Sequence, residues 1–482
     1  MLVISQGEIR AVPGYISSGV DQNFFVDIVE MTGGMIVLLE MRMYGDSQIY
    51  ETLETRNLQN AFTVDQILED FAYNSSIVES AASSSYNFGN SDSAKNNTQT
   101  APSSKTLVEK RDELGTNGGS FAKKQQQWFY YGASFSASLG QWLVRKYPGL
   151  VDGVYASSGA VECTDDNYYS DIAISDTLAC SRKLALAVDL LDSIFEAPIC
   201  DKELSNRFLE QLKEMSDDNV LNGGSYSAKK AVKEMFGFED IEDDADFMYA
   251  ISSVITYKVQ NNRPLETNLE IVNSNNDSKK FNGTESGRSM DLNYLCSLFD
   301  EAEDHVSSLM AYARYISQIR SLMKQNEVGE QEDNTNEDSI TFEKSEIKVI
   351  QKPEISRSKF GNDKSNTGHR AWLFITCNEL GFFPTSAKFH GFGQSTRSSF
   401  LSKEYFLNQC NSWFDGLWVE EDALNSRFNK TNMRFGGKNV EPNPRTVYVE
   451  GGKDPTYYNS VVNNYYSNKW APPFGAPRKI EL

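Results

Sequence analysis

The sequence predicts an α/β protein: a parallel sheet covered on both faces, with a helical segment inserted before the last strand. Three observations predict it. Short apolar runs with β character alternate with helical patterns as far as Gly159, the apolar period turns purely helical from about residue 170, and sheet character returns at Thr446-Val447-Tyr448-Val449-Glu450. Alternating strands and helices imply a parallel sheet, since each parallel pair needs a long crossover that lays a helix on a sheet face.

The first strand is Leu2-Val3-Ile4-Ser5, running into a loop at Gly7-Glu8. A second run, Met35-Ile36-Val37-Leu38-Leu39, ends in Glu40-Met41-Arg42-Met43-Tyr44-Gly45. Thr63 caps a helix whose apolar face is Val64, Ile67, Leu68, Phe71 and Ala72, and Gln66 completes a capping box. Residues 83–126 are rich in Ser, Asn, Gln, Lys and Gly, which predicts a mobile surface insertion. The aromatic run Trp128-Phe129-Tyr130-Tyr131 stops at Gly132, presents Ser134, and passes directly into the helical pattern Ala137, Leu139, Trp142, Leu143. A further β-type run covers Val151 to Gly159.

Beyond it, Leu184, Ala187, Val188, Leu191 and Phe195 share one helical face, as do Leu204, Phe208, Leu212 and Met215, and later Val306, Leu309, Met310, Ala313 and Ile316. The polar tract 324–368 is expected to be largely disordered. The boundaries that follow are 1–165 for the first part of the sheet domain, 166–395 for the helical insertion and 396–482 for the second part.

A strand, a sharp turn bearing serine and a helix make a nucleophile elbow, which needs small residues on both flanks because strand and helix backbones pass close together. Gly132 supplies one. Counted from Gly132, G-x-S lands on Ser134 at the strand end and puts Ser136 where the second glycine would stand; with Ser136 as the nucleophile the far flank is not glycine either, and we take Ser134, with Ser136 as the second small residue. The bland alternative is that Ser134 merely caps the helix. Asp454, in the loop Gly451-Gly452-Lys453-Asp454-Pro455 after the late strand, sits where a doubly wound hydrolase sheet places its acid, although such a loop is also a common surface turn.

Composition narrows the function classes. The chain has 46 basic against 67 acidic residues, a formal net charge of -21, which disfavours a nucleic-acid partner recognised through phosphates. No apolar run is long enough to span a bilayer, and the N-terminus lacks the basic region and cleavage site of a signal peptide. A chain that opens inside a strand reads as a piece of a longer one. The six cysteines and the sequons at Asn74, Asn96, Asn276, Asn282 and Asn429 favour an oxidising, secretory compartment. There is no C-x-x-C pair and no His/Cys cluster, so neither a metal nor another cofactor is expected.

In order along the chain, these blocks resemble the prolyl carboxypeptidase family of serine peptidases. That family's Glu-His-Arg-Tyr/Phe-Tyr-Gly block is similar to Glu40–Gly45. Its Gly-Gly-Ser-Tyr block, with Lys-Tyr-Pro after the helix, is similar to Gly132-Ala133-Ser134-Phe135 and Lys146-Tyr147-Pro148, and the stretch 151–158 also matches. Its Trp-x-Tyr-Gln-x-Cys-Thr-Glu block resembles Trp372–Glu379, its Tyr-Gly-Gly block Phe435-Gly436-Gly437, and its Asn-Gly-x-x-Asp-Pro-Trp block Glu450–Pro455. The resemblance implies a doubly wound α/β-hydrolase sheet with an inserted helical cap, Ser134 as nucleophile and Asp454 as the acid that orients a histidine. It implies Phe135 as one oxyanion donor through its amide, and Gly7 in its loop as the other. It further implies a Cys377–Cys410 disulfide and, more weakly, Cys200–Cys296.

A serine hydroxyl needs a general base, and in that family the histidine follows the aspartate. Here the histidines are His305, His369 and His390, and none follows Asp454. His390 is the outside candidate for an alternative base. Either the chain continues past Leu482, because Trp470–Pro477 resembles the segment before the histidine strand in fungal relatives, or the lineage has lost the base. The expected function is a secreted or vacuolar/lysosomal serine peptidase acting on peptide or protein substrates near proline. Its rival is a relative that binds peptides without turnover, and a general esterase is a third, weaker reading.

Overall fold

The computed structural model describes residues 2–7, 27, 29, 31–85, 127–215, 225–260, 290–328, 369–417, 421–452 and 454–463. The elements in chain order are β1 (Leu2–Gly7), β2 (Met35–Glu40), α1 (Thr55–Ala61), α2 (Val64–Ser85), β3 (Trp128–Ala133), α3 (Phe135–Lys146) and β4 (Gly153–Ser157). Then follow α4 (Tyr169–Thr177), α5 (Ser181–Phe195), α6 (Lys202–Met215), α7 (Ser225–Phe236), α8 (Asp244–Gln260), α9 (Leu292–Leu298) and α10 (His305–Val328). Last come α11 (His369–Ile375), α12 (Lys403–Trp413), α13 (Glu421–Phe435) and β5 (Thr446–Val449).

Among the described residues the strands form one five-stranded sheet in the order β2-β1-β3-β4-β5. Every pair in it is parallel, so all strands present their C-terminal ends at one edge. β3 alternates buried Trp128, Tyr130 and Gly132 with half-buried Phe129 and Tyr131. Helix α3 is buried at every position from Phe135 to Val144, which is possible only for a helix enclosed by neighbours. It lies close on β3 because Gly140 has no side chain: a Cβ there would stand 2.6 Å from the Tyr130 ring. Tyr130 in turn meets Phe71 of α2 edge-on at 5.1 Å, and Trp142 stacks on Phe435 of α13 at 5.1 Å. The capping box is present: Thr63 Oγ1 accepts from the Gln66 amide at 3.3 Å and Gln66 Oε1 accepts from the Thr63 amide at 3.1 Å.

In the helical segment α5 packs on α10. Leu184, Ala187, Val188, Leu191 and Phe195 of α5 are buried as their spacing predicts. On α10 the buried face is Leu309, Tyr312, Ala313, Ile316 and Ile319, whereas Met310, expected on that face, is 55% exposed. It lies one residue, about 100° of helix rotation, from Leu309 and turns out from the packed face.

Two disulfides are present, Cys377–Cys410 and Cys180–Cys296. The first is the pair that the resemblance implies; the second corrects the Cys200–Cys296 pairing, and Cys200 and Cys163 are free thiols. Cys180 and Cys200 flank α5, a 15-residue helix about 22 Å long, so only one of them can reach Cys296. The start of α5 does so, with Lys183 Nζ donating to the Phe299 carbonyl at 2.6 Å just past α9.

Residues 83–85 and 324–328 belong to helices α2 and α10. The rest of the two polar tracts, Glu8, Lys453, Asn96, Asn276, Asn282, the Leu212 and Met215 side chains and the stretch 470–477 lie outside the described residues. Among the described residues no helix is long and apolar enough to cross a membrane.

Candidate active site

Ser134 stands between β3 and α3 with φ 55° and ψ -127°, a conformation that a side-chain-bearing residue holds only when its surroundings enforce it. Neighbours on both sides enforce it here. The Ser134 amide donates to the Ser157 carbonyl of β4 at 2.9 Å, and its own carbonyl accepts from the Ala137 amide at 3.0 Å. A Cβ on residue 132 would collide with the Ser136 carbonyl and stand 2.7 Å from the Ala137 nitrogen, so only glycine permits so tight a turn. The Ser134 side chain makes no capping bond to α3, which rules out the cap reading, and it is exposed. Ser136, the other serine in the elbow, is buried, with its Oγ 2.9 Å from the Tyr130 hydroxyl.

Ser134 and Phe135 open onto a cavity of about 370 Å³. Phe135 is the first residue of α3, so its amide belongs to the first turn, where N–H groups have no intrahelical acceptor. Across the cavity stand Tyr249 and Thr256 of α8, Trp372 of α11, Phe383, and Arg397 in the chain before α12. Pro455 and Thr456, which follow Asp454, also line it. Asp454 Oδ1 accepts from the Thr456 amide at 2.8 Å and from its hydroxyl at 2.7 Å, which fixes the carboxylate in the loop after β5. Gly7 ends β1; the ladder pairs Ser5 with Tyr131, so Gly7 lies at the same sheet edge as the elbow.

Glu450, at the end of β5, is buried with Oε1 accepting from the Gly159 amide at 3.1 Å and Oε2 unpartnered among the described residues. Burial, and after it the charge of Asp454, pushes its carboxyl up to about 8, against the pull of the Gly159 bond.

The histidines do not join Ser134. His390 lies 2.9 Å from Asp166 through Nε2 and stacks on Tyr168 at 3.7 Å between ring centroids; it does not line the cavity. His305 opens α10, and His369 opens α11 with its side chain outside the described residues.

The polar run before α12, from which Arg397 reaches the cavity, was not marked by its sequence. Ser395-Thr396-Arg397-Ser398-Ser399 reads as an exposed polar loop, yet all five residues are buried. Their partners are distant in sequence: Asp171 accepts from the Thr396 amide at 2.9 Å, and Asp192 accepts from the Ser399 hydroxyl at 2.9 Å. No local pattern marks such residues.

The model of the family described as serine carboxypeptidase S28 matches residues 115–471, well over half of the chain. The chain belongs to this family. Relatives of the serine carboxypeptidase S28 chain include "Probable serine protease EDA2" of Arabidopsis thaliana, 22% identical over 93% of this chain and 67% of its own length. "Probable extracellular serine carboxypeptidase" of Arthroderma benhamiae is 20% identical over 90% of this chain and 50% of its own length. "Serine protease vicPb" of Bipolaris victoriae is 24% identical over 47% of this chain and 32% of its own length. The chain thus spans half or less of those fungal relatives. The resemblance read from the sequence blocks is borne out at family level, and the matched region contains both the elbow and the Asp454 loop.

Proposed function

We propose that the chain is a serine-type peptidase that hydrolyses peptide bonds near proline through an acyl-enzyme on Ser134. The observation that carries this reading is the strained, exposed Ser134 at the mouth of a cavity that the Asp454 loop also lines. Its scaffold would be a doubly wound α/β-hydrolase domain, residues 1–165 and 396–482, with residues 166–395 as a helical cap over the sheet edge. Ligands in open parallel sheets bind at the carboxyl ends of the strands; Gly7 is the last residue of β1, and Ser134 and Asp454 follow the ends of β3 and β5.

In this scheme Ser134 Oγ attacks the scissile carbonyl carbon and its proton passes to a general base. The Phe135 amide and a backbone donor at Gly7 hold the developing oxyanion. Collapse breaks the C–N bond, the base returns the proton to the departing amine, and water repeats the sequence to release the acid. Asp454 would orient the base. The disulfides and the extracellular relative support a secretory-route location.

The second reading is a peptide-binding relative without turnover, favoured by His390 being engaged with Asp166 rather than with Ser134. A fluorophosphonate probe separates the two. Wild type and Ser136→Ala should be labelled and Ser134→Ala should not; an unlabelled wild type overturns the peptidase reading.

A further inference from the structure

Ser134 is not the cavity's only strained residue. Ser158, in the turn after β4, is also held at φ 55° and also lines the cavity. The two are linked: the Ser134 amide donates to the carbonyl of Ser157, the residue before Ser158. That turn is held in its own right by two consecutive bonds to the end of β5. The Ser158 amide donates to the Val449 carbonyl at 2.8 Å, and the Gly159 amide donates to Glu450 Oε1 at 3.1 Å. The turn is also pressed onto α3. A Cβ on residue 159 would collide with Gln141 Nε2 and stand 3.1 Å from the Ala137 Cβ, and the Ser138 hydroxyl donates to the Ala160 carbonyl at 2.5 Å. A turn enclosed in this way transmits its position to the elbow.

Glu450 also opens the loop that carries the acid. The Asp454 amide donates to the Gly451 carbonyl at 3.0 Å, so the chain folds back directly after Glu450 and sets Asp454 close to it. We propose that Glu450 is a positioning residue for the peptidase reaction, bracing the Ser157–Gly159 turn, and through it Ser134, against the loop that bears Asp454. The proposal rests on the reading of Ser134 as nucleophile and Asp454 as acid.

The surroundings suit a neutral carboxyl. Glu450 is buried, and its Oε2 has no partner among the described residues. The titratable groups that act on it there are Asp454 and Tyr457, both in the chain just after β5. From the other side the β4 turn presents the Gly159 amide, and α3 meets that turn with Ala137 and Gln141, neither of them charged. An ionised Glu450 would set a second negative charge beside Asp454 with no cation among the described residues to balance it, which favours separation of the loop from the turn. With the carboxyl pushed up to about 8, the brace holds at neutral pH and loosens as pH rises through that value. Tyr457, itself pushed up from 10.0 by burial and then by the Glu450 charge, stays neutral over the same range.

The test follows the full chain, wild type against Glu450→Gln, from neutral pH to above pH 8 by two readouts. Glutamine keeps an acceptor for the Gly159 amide and cannot ionise. The rate of fluorophosphonate labelling at Ser134 should fall in wild type as pH passes about 8 and hold in Glu450→Gln. Protection of the Ser134 and Gly159 amides against hydrogen exchange should drop in wild type over the same range and hold in the variant. Glu450→Ala, which lacks the acceptor, should label roughly 10- to 100-fold more slowly at every pH, the scale of loss from a small misplacement at an active site. Because that variant can fail to fold, the comparison of wild type with Glu450→Gln is the decisive one. Coincident profiles for those two proteins overturn the proposal, as does wild-type labelling of a folded Glu450→Ala. Exchange reports on the brace even in a protein that does not label: the exchange difference without labelling sinks the nucleophile and leaves the brace, and labelling with coincident profiles does the reverse.

Discussion

Ser134 and Glu450 show how much of the chemistry is set by single backbone and solvation effects. Ser134 is held at positive φ by a bond to β4 and by the absence of a side chain at Gly132, so its hydroxyl projects outward instead of capping α3. Glu450 is a buried acid beside Asp454, with its carboxyl raised from 4.5 to about 8. A raised acid holds its proton in the folded chain after the unfolded chain has lost it. Its contribution to stability is therefore full below about pH 4.5 and is lost as pH rises through about 8. Urea unfolding of wild type should weaken across that window by on the order of a few kcal/mol relative to Glu450→Gln, which stays neutral throughout. Parallel profiles for the two proteins would show that Glu450 ionises normally.

At the scale of elements, α2 shows a helix start fixed twice over. Its capping box satisfies local donors, and the next amide, that of Val64, donates to Glu379 Oε2 at 3.0 Å from the turn after α11. The second bond ties the sheet-side helix to the Trp372–Glu379 block that lines the cavity. Thr63→Ala should cost about 1 kcal/mol, the usual loss for a cap, as read by the urea midpoint at unchanged slope. A loss several times larger would mean that the cap also holds the Glu379 contact in place. The capping box was legible from Thr63 and Gln66, which are three residues apart; Glu379 was not, since 315 residues separate it from Val64.

Across the whole molecule, one of the two expected covalent links is present, Cys377–Cys410, and the other is replaced by Cys180–Cys296. Cys180–Cys296 closes a loop with a sequence separation of 116, so its removal relaxes a long segment of the unfolded chain. Replacing both cysteines with serine should destabilise the protein by roughly 2–5 kcal/mol. Non-reducing peptide mapping should recover Cys180–Cys296 and Cys377–Cys410, with alkylation only at Cys163 and Cys200. A Cys200–Cys296 peptide would overturn the placement of α5 and α9 beside each other.

The sequence by itself determined what short-range chemistry encodes. Strand and helix periods, the glycine that permits the elbow, the capping box and the ordered motif blocks are all written within windows of a few residues, and the family follows from them. Which of Ser134 and Ser136 stands exposed was decided only by the folded structure, which buries Ser136 Oγ against the Tyr130 hydroxyl and opens Ser134 onto a cavity walled by α8, α11 and Arg397. The same holds for the polar run Ser395–Ser399, which looks solvated until Asp171 and Asp192 are brought to it. Burial of a polar side chain is decided by partners that supply its hydrogen bonds, and here those partners lie some 200 residues away in the chain.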